Sequence, residues 1–251
     1  MRLRGAVIAI GILALAGCGD DDGETPKPRL TVSAAASLKS AFEDYGKSFD
    51  AATARFSFAG SGELAAQIRQ GVKPDVYAAA NTRLPDQLFR GALVEKPRIF
   101  AGNTLVIAVR TGSGGPRSIE DLALPGLNLV VGAESVPVGS YTREVLSRLP
   151  AATSKAILAN VRSEEPDVAG IVGKLTQGAA DAGLVYITDV VSAGSKLKAI
   201  ELPQNLQPRV EYGVAVVKGA PEPRAAQAFI DGLLEDDGLK AMERAGFLPP
   251  G

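Results

Sequence analysis

Two serines lie where helices are expected to begin, and their surroundings indicate anion chemistry. Ser37 lies in the segment AAASL (34–38), and Ser61 lies in AGSGEL (59–64). The first N–H groups of a helix have no partner within the helix, and the helix dipole favours negative charge at that end. Neither segment contains lysine or arginine. The pair therefore predicts an oxyanion site made of neutral donors, although each serine could equally be a plain helix N-cap.

Three further positions could supply donors to the same site. Val138 in VPVGSY (136–141) and Val168 in EEPDV (164–168) each follow a helix-start residue, Pro137 and Asp167, which leaves their backbone N–H groups free. Tyr186 ends the strand-like segment GLVY (183–186), and its hydroxyl could donate to a ligand. The alternatives are an ordinary helix entrance at each valine and core packing at the tyrosine.

The composition excludes several classes of function. The 251 residues include no histidine, which rules out a Ser-His-Asp hydrolase and a histidine metal site. Cys18 is the only cysteine, so no internal disulfide can form. The 27 basic and 28 acidic residues nearly balance, which is not the charge of a nucleic-acid-binding protein.

The amino-terminal segment predicts export and lipid anchoring. Residues 1–17 have a basic start with Arg2 and Arg4, followed by an apolar stretch that is short for a membrane span. The segment LAGC (15–18) resembles a bacterial lipobox, in which Cys18 would become the lipidated first residue; an ordinary signal peptide with an incidental cysteine is the alternative. Residues 18–28 contain three consecutive aspartates and predict a flexible tether.

Apolar periodicity after residue 29 alternates between strand and helix, which predicts an α/β fold with parallel sheets flanked by helices. Strands are expected at 30–33, 55–58, 75–79, 104–109, 129–131, 182–186 and 210–217. Helices are expected at 37–50, 61–70, 83–90, 139–149, 168–177, 224–234 and 238–245. We expect one lobe from 29–103 plus 190–251, and a second lobe from 104–189. Ligands bind beyond the carboxyl ends of strands in such sheets, where both serines lie.

Six segments occur together in a recognisable order: AAASL (34–38), FAGSG (58–62), PDV (74–76), VPVGSY (136–141), GLVY (183–186) and EYGVAVV (211–217). From about Leu30 to its carboxyl end the chain resembles the substrate-binding protein of bacterial molybdate ABC transporters. That resemblance implies a two-lobed periplasmic-binding-protein fold, in which each lobe is a mainly parallel sheet flanked by helices. The ligand would lie in the cleft between the lobes.

The resemblance also implies a ligand and a set of contacts. The ligand would be molybdate or tungstate, with no cofactor and no protein side chain coordinating a metal cation. The implied donors are the hydroxyl and N–H groups of Ser37 and Ser61, the N–H groups of Val138 and Val168, and the Tyr186 hydroxyl. Glu63 departs from the family, which often has a small hydroxyl residue there; we expect its side chain to point to solvent.

The implied protein is a monomeric binding protein, not an enzyme. It would lie in the periplasm or on the outer face of the cell membrane, contact the membrane only through a lipid at Cys18, and deliver its ligand to an ABC permease. Alternatives are a binding protein for sulfate or thiosulfate, a sensor or adhesion lipoprotein, and a lyase or hydrolase that uses serine and tyrosine. The missing histidine and the lack of a nearby Ser/Lys pair argue against catalysis.

Overall fold

The computed structural model of the protein describes residues 27–251. The predicted signal peptide (1–17), Cys18 and most of the tether lie outside the described residues. Within the described chain, no helix combines the length and apolar character needed to cross a bilayer.

Residues 27–251 form ten strands and nine α-helices. The strands are β1 (Arg29–Ala35), β2 (Thr53–Ala59), β3 (Val76–Ala79), β4 (Arg98–Asn103), β5 (Leu105–Arg110), β6 (Leu129–Gly132), β7 (Val161–Glu165), β8 (Ala182–Tyr186), β9 (Leu197–Glu201) and β10 (Val210–Val216). The helices are α1 (Lys39–Ser48), α2 (Ser61–Arg69), α3 (Arg83–Arg90), α4 (Pro137–Ser147), α5 (Ala151–Ala159), α6 (Val168–Thr176), α7 (Ile187–Ala193), α8 (Pro223–Gly232) and α9 (Asp236–Arg244). Single 3-10 turns span Ala36–Leu38, Glu120–Ala123, Gly194–Lys196 and Gln204–Leu206.

The strands form two five-stranded sheets, one in each lobe. The first has the order β2-β1-β3-β10-β4, and the second has the order β7-β6-β8-β5-β9. The chain crosses between them at Thr104, which separates β4 from β5, and returns between β9 and β10. The expected two-lobed α/β fold is therefore confirmed.

Each sheet is mixed. In the first sheet β1 runs parallel to β2 and β3, while β10 runs antiparallel to β3 and β4. In the second sheet β6 runs parallel to β7 and β8, while β5 runs antiparallel to β8 and β9. The antiparallel strands β10 and β5 follow the two crossings, because a chain that enters a lobe through the cleft must run away from it.

The expected lobe boundary at residue 190 is corrected by the pairing of β9. This strand hydrogen-bonds to β5 in the second sheet, so the second lobe continues to Glu201 and the chain returns to the first lobe after it. β9 is an edge strand with mostly half-exposed or exposed side chains. Such a strand lacks the apolar run that identifies a buried one, and the sequence pattern missed it.

Helix α1 is held on the first sheet by aromatic packing. The ring of Phe42 lies 5.5 Å from that of Phe229 in α8 and 6.0 Å from that of Phe100 in β4. Tyr45, one turn further along α1, lies 4.8 Å from Phe229. Burial of each such ring contributes about 1.5–3 kcal/mol, so this cluster holds the helix that follows Ser37.

The segment PDV (74–76) has a structural role. The Asp75 carboxylate is fully buried and accepts hydrogen bonds from the N–H and hydroxyl of Thr31, each at 2.7 Å, and from the N–H of Glu222, also at 2.7 Å. It thereby ties β1 to the residue that precedes α8.

Candidate functional site

All five predicted donor residues line one cavity between the lobes. The cavity has a volume of ≈ 20 Å³ and is lined from both lobes by Ala35, Ala36, Ser37, Ala59, Gly60, Ser61, Ala80, Val136, Pro137, Val138, Asp167, Val168 and Tyr186. Sites for drug-sized ligands span roughly 300–1,000 Å³, so this cavity suits only a small ion or molecule. The role of the five donor residues in binding remains a prediction.

Parallel pairing brings the helix starts together. Ala35 at the end of β1 is paired with Ala59 at the end of β2, so the segments that carry Ser37 and Ser61 leave the sheet side by side. In the second lobe Gly132 at the end of β6 is paired with Glu165 at the end of β7, which places the starts of α4 and α6 together. The cavity therefore lies beyond the carboxyl ends of the strands, where the sequence analysis expected it.

Neither serine hydroxyl caps its helix. Ser37 lies in the 3-10 turn that precedes α1, and its Oγ is 2.9 Å from the hydroxyl of Tyr212. Ser61 is the first residue of α2, and its Oγ accepts a hydrogen bond of 3.1 Å from the N–H of Ala80. The expected α-helix start at residue 37 is thus two residues too early, because one tighter turn comes first.

The Ser61 hydroxyl has its proton available for the cavity. A backbone N–H can only donate, so the Ser61 oxygen must accept from Ala80 and keeps its own O–H for another acceptor. The carbonyl of Ser61 accepts from the Tyr77 hydroxyl at 2.8 Å, which holds the first turn of α2 in place.

The two valines contribute backbone N–H groups from the first turns of α4 and α6. The first intrahelical bond of α4 runs from Ser140 to Val136, so the N–H of Val138 precedes the helical ladder. A Cβ at Gly139 would lie 2.0 Å from the Ala133 carbonyl oxygen, so glycine permits this close start of α4. In α6, Val168 follows the N-cap Asp167, whose side chain accepts from Gly170 as the sequence predicted.

Tyr186 supplies a buried hydroxyl without a protein partner. It is 1% exposed, and among residues 27–251 its hydroxyl oxygen has no hydrogen-bond partner. Its ring packs edge-on against Tyr141 and Tyr212. Burial raises the pKa of Tyr186 well above its ordinary value, so the hydroxyl stays protonated and can donate. An unpaired buried hydroxyl costs free energy, which a bound acceptor would recover.

The cavity surroundings contain little charge. Of the lining residues described, none is lysine, arginine or histidine, and Asp167 is the only one with a carboxylate side chain. One oxygen of Asp167 is engaged by the Gly170 N–H. Glu63 is exposed and accepts from Gln67 at 3.2 Å, so its side chain points away from the cavity as expected. No group of three or more potential metal-ligating residues occurs within the described chain.

A buried carboxylate lies directly beneath Tyr186. One oxygen of Asp189 accepts from the Tyr186 N–H at 2.9 Å. Burial, with a smaller contribution from the charge of Asp167, raises the pKa of Asp189 to about 7, although the hydrogen bond from the Tyr186 N–H acts to lower it. In the unfolded chain an aspartate titrates near 3.9, so the folded state binds this proton more tightly and stability falls as pH rises from about 4 to about 7.

Asp189→Asn is therefore expected to flatten the pH dependence of stability. The variant keeps an acceptor for the Tyr186 N–H but carries no charge. It should match the wild type in thermal denaturation at pH 4 and exceed it at pH 8. An equal melting temperature for the two proteins at pH 8 would contradict a buried charge at this position.

Two features of the cavity escaped the sequence analysis. Tyr212 and Asn103 form a buried polar network behind Ser37, although they are 109 residues apart in the chain. Gly60 also touches the opposite lobe, since a Cβ there would lie 2.4 Å from the carbonyl oxygen of Pro166. The segments FAGSG and EYGVAVV contain Gly60 and Tyr212, but the sequence does not show what these two residues contact.

Comparison with known proteins assigns the chain to a family. A family model described as bacterial extracellular solute-binding protein matches residues 30–248. The chain belongs to this family. The predicted extracytoplasmic setting of this solute-binding protein agrees with that description at the level of the family.

Relatives of this solute-binding protein include the molybdate-binding protein ModA of Mycobacterium tuberculosis strain H37Rv. It is 38% identical over 259 residues, covering 98% of this chain and 97% of the relative. The periplasmic molybdate-binding protein of Azotobacter vinelandii superposes with a TM-score of 0.79 at 19% identity, covering 88% of this chain and 100% of that one. The sulfate-binding protein SubI of M. tuberculosis H37Rv gives 0.78 at 19% identity, covering 88% and 87%. At such identities the two structures show the fold alone.

Proposed function

We propose that this protein captures molybdate or tungstate outside the cytoplasm and delivers it to an ABC permease. The observation that carries the proposal is the single cavity lined from both lobes by Ser37, Ser61, Val138, Val168 and Tyr186, with the Tyr186 hydroxyl buried and unpartnered among the described residues. The mycobacterial relative named as a molybdate-binding protein supports the choice of ligand.

Neutral donors can hold a dianion without a counter-charge. A hydrogen bond to a charged acceptor contributes about 1.5–3 kcal/mol, and several of them offset the cost of removing the ion from water. The N–H groups proposed here lie in first helical turns, where the dipole also favours negative charge. We infer that the four helix starts and the Tyr186 hydroxyl replace the hydration shell of the ion.

The donor set also implies an order of preference among oxyanions. Molybdate and tungstate are fully deprotonated and nearly alike in size. Sulfate is fully deprotonated but smaller, so its oxygens would not reach every donor. Hydrogen phosphate carries a proton that needs an acceptor, and the proposed groups are donors. The expected order is molybdate and tungstate, then sulfate, then phosphate.

The remaining parts of the proposal come from the family and the amino terminus. Lobes that close over the ion would present a joint surface to the permease, and the protein would act as a monomer. Cys18 would anchor it to the membrane through a lipid after removal of residues 1–17. The role is binding and not catalysis; a turnover assay of the purified protein with ester and lyase substrates would expose an enzyme.

A panel of oxyanions tests the proposal. The protein from residue 19 onward, without Cys18, is titrated with molybdate, tungstate, sulfate and phosphate, and the melting temperature is followed along with calorimetric affinity. A ligand that binds only the native state raises the melting temperature, by an amount that grows with concentration over Kd. Molybdate and tungstate should give the largest shifts. Tighter binding of sulfate than of molybdate would transfer the function to sulfate capture.

A further inference from the structure

A chain of buried polar groups runs behind Ser37, away from the cavity. The Ser37 Oγ lies 2.9 Å from the hydroxyl of Tyr212, and that hydroxyl lies 3.3 Å from the Nδ2 of Asn103. The same Nδ2 lies 3.0 Å from the hydroxyl of Thr188, and the Oδ1 of Asn103 lies 2.8 Å from the N–H of Thr104. All four side chains, Ser37, Tyr212, Asn103 and Thr188, are buried.

The direction of every bond in this chain follows from its fixed end. The backbone N–H of Thr104 can only donate, so it identifies the Asn103 atom that faces it as the carbonyl oxygen. The other end of the amide is then the NH₂ group, which donates to Tyr212 and Thr188. The Tyr212 oxygen therefore accepts from Asn103. Tyr212 donates to Ser37, its other partner among the described residues, because its buried proton would otherwise have no acceptor.

One lone pair of Ser37 is then occupied, and its own proton stays available. Because its oxygen accepts from Tyr212, the Ser37 O–H can donate into the cavity that the residue lines. Burial and the charge of Asp189 raise the pKa of Tyr212 well above its ordinary value. Tyr212 therefore stays protonated and can donate its hydrogen bond to Ser37. Ser61 obeys the same rule through the N–H of Ala80.

We propose that Tyr212 and Asn103 are positioning residues that hold the Ser37 hydroxyl as a donor and thereby exclude oxyanions that carry a proton. A free serine hydroxyl can rotate and accept a hydrogen bond from the P–O–H group of hydrogen phosphate. Here a rotation that turns the lone pair facing Tyr212 toward the ligand would leave the Tyr212 proton without an acceptor in a buried site, which is costly. This inference rests on the proposed oxyanion function and names what makes the site selective.

The decisive variant is Tyr212→Phe, compared with wild type for three dianions. Molybdate and sulfate carry no proton, and phosphate is measured at a pH where it is mainly the hydrogen phosphate dianion. The variant keeps the ring that packs against Phe100 and Phe247 but frees one lone pair of Ser37. The ratio of phosphate affinity to molybdate affinity should rise at least about five-fold, since an unpaired buried polar group costs that much or more. The ratio of sulfate to molybdate should not change.

A purely structural role gives a different pattern. Loss of packing or rigidity at Tyr212 would lower the affinity for all three anions together and leave both affinity ratios unchanged. That result would overturn the inference. Tyr45→Phe is the matched control, because its hydroxyl donates to the Phe229 carbonyl at 3.3 Å, within the core of the first lobe. It should change neither ratio.

Asn103→Leu provides a second, independent test. Without the amide, the Tyr212 hydroxyl can rotate and accept a hydrogen bond from Ser37. The ratio of phosphate affinity to molybdate affinity should therefore rise again. An unchanged ratio in either folded variant contradicts the inference. A wild-type protein that fails to bind molybdate and sulfate would instead contradict the proposed function, so the two failures are distinguishable.

Discussion

Gly60→Ala is expected to lower the affinity for molybdate by about ten- to a hundred-fold while leaving the ligand-free protein folded. Gly60 has φ −60° and ψ 133°, a conformation that alanine adopts freely, so the backbone imposes no strain. The added methyl would lie 2.4 Å from the Pro166 carbonyl oxygen of the opposite lobe. Overpacking of this kind costs about 1–3 kcal/mol, and here the cost falls only on the state in which the lobes meet.

Gly62→Ala is the matched control, because it adds the same methyl two residues away in α2. A Cβ at Gly62 would have the Ser135 carbonyl oxygen at 3.7 Å as its neighbour across the cleft, which is ordinary van der Waals contact. Alanine also favours a helix over glycine by about 1 kcal/mol. This variant should bind molybdate as the wild type does and melt at the same or a higher temperature.

Solution scattering would show whether the methyl acts on lobe closure. The radius of gyration of the wild type should decrease when molybdate is added, and that of Gly60→Ala should decrease less. If Gly60→Ala bound molybdate with wild-type affinity, the contact between Gly60 and Pro166 would not belong to the ligand-bound state. A drop in its ligand-free melting temperature of more than a few degrees would indicate local damage to α2 instead.

The sequence was sufficient for those parts of the fold that local chemistry determines. Glycine marks the start of α2 and proline that of α4, and the aromatic spacing of α1 predicts its buried face at Phe42 and Tyr45. The predicted bounds of α3 and β8 agree with the structure. These elements carry or flank the cavity, which is why the candidate residues could be named before their contacts were known.

The sequence pattern missed three edge strands, β4, β7 and β9, and two helices, α5 and α7. β7 has the sequence VRSEE, and β9 has the sequence LKAIE; both lie at the edges of the second sheet with partly exposed side chains. Their identity as strands comes from pairing with β6 and β5, which is a tertiary property. The misplaced lobe boundary near residue 190 follows directly from the omission of β9.

The polarity of the site also lay beyond the sequence. A serine at a helix start predicts a cap, yet Ser37 bonds to Tyr212, 175 residues away, and Ser61 bonds to the N–H of Ala80. Only these long-range partners show that the Ser61 oxygen accepts from the protein and that the Ser37 hydroxyl is paired with that of Tyr212. That result replaces the N-cap interpretation of both serines.

Tyr186→Phe is expected to lower ligand affinity without lowering ligand-free stability. The hydroxyl is buried and has no partner among the described residues, so its removal should leave the melting temperature without ligand unchanged or slightly higher. Molybdate affinity should fall about ten- to a hundred-fold, because a hydrogen bond to a charged acceptor contributes about 1.5–3 kcal/mol. The melting-temperature shift produced by molybdate should shrink accordingly.

A loss of ligand affinity without a loss of ligand-free stability distinguishes a ligand contact from a structural one. The Tyr45 hydroxyl has a protein partner, so Tyr45→Phe should lower ligand-free stability and leave affinity unchanged. The Tyr186 ring stays packed against Tyr141 and Tyr212 in the variant, so a loss of affinity would report the hydroxyl alone. Full molybdate affinity in Tyr186→Phe would remove this residue from the proposed site. The four helix starts would then have to hold the ion without it.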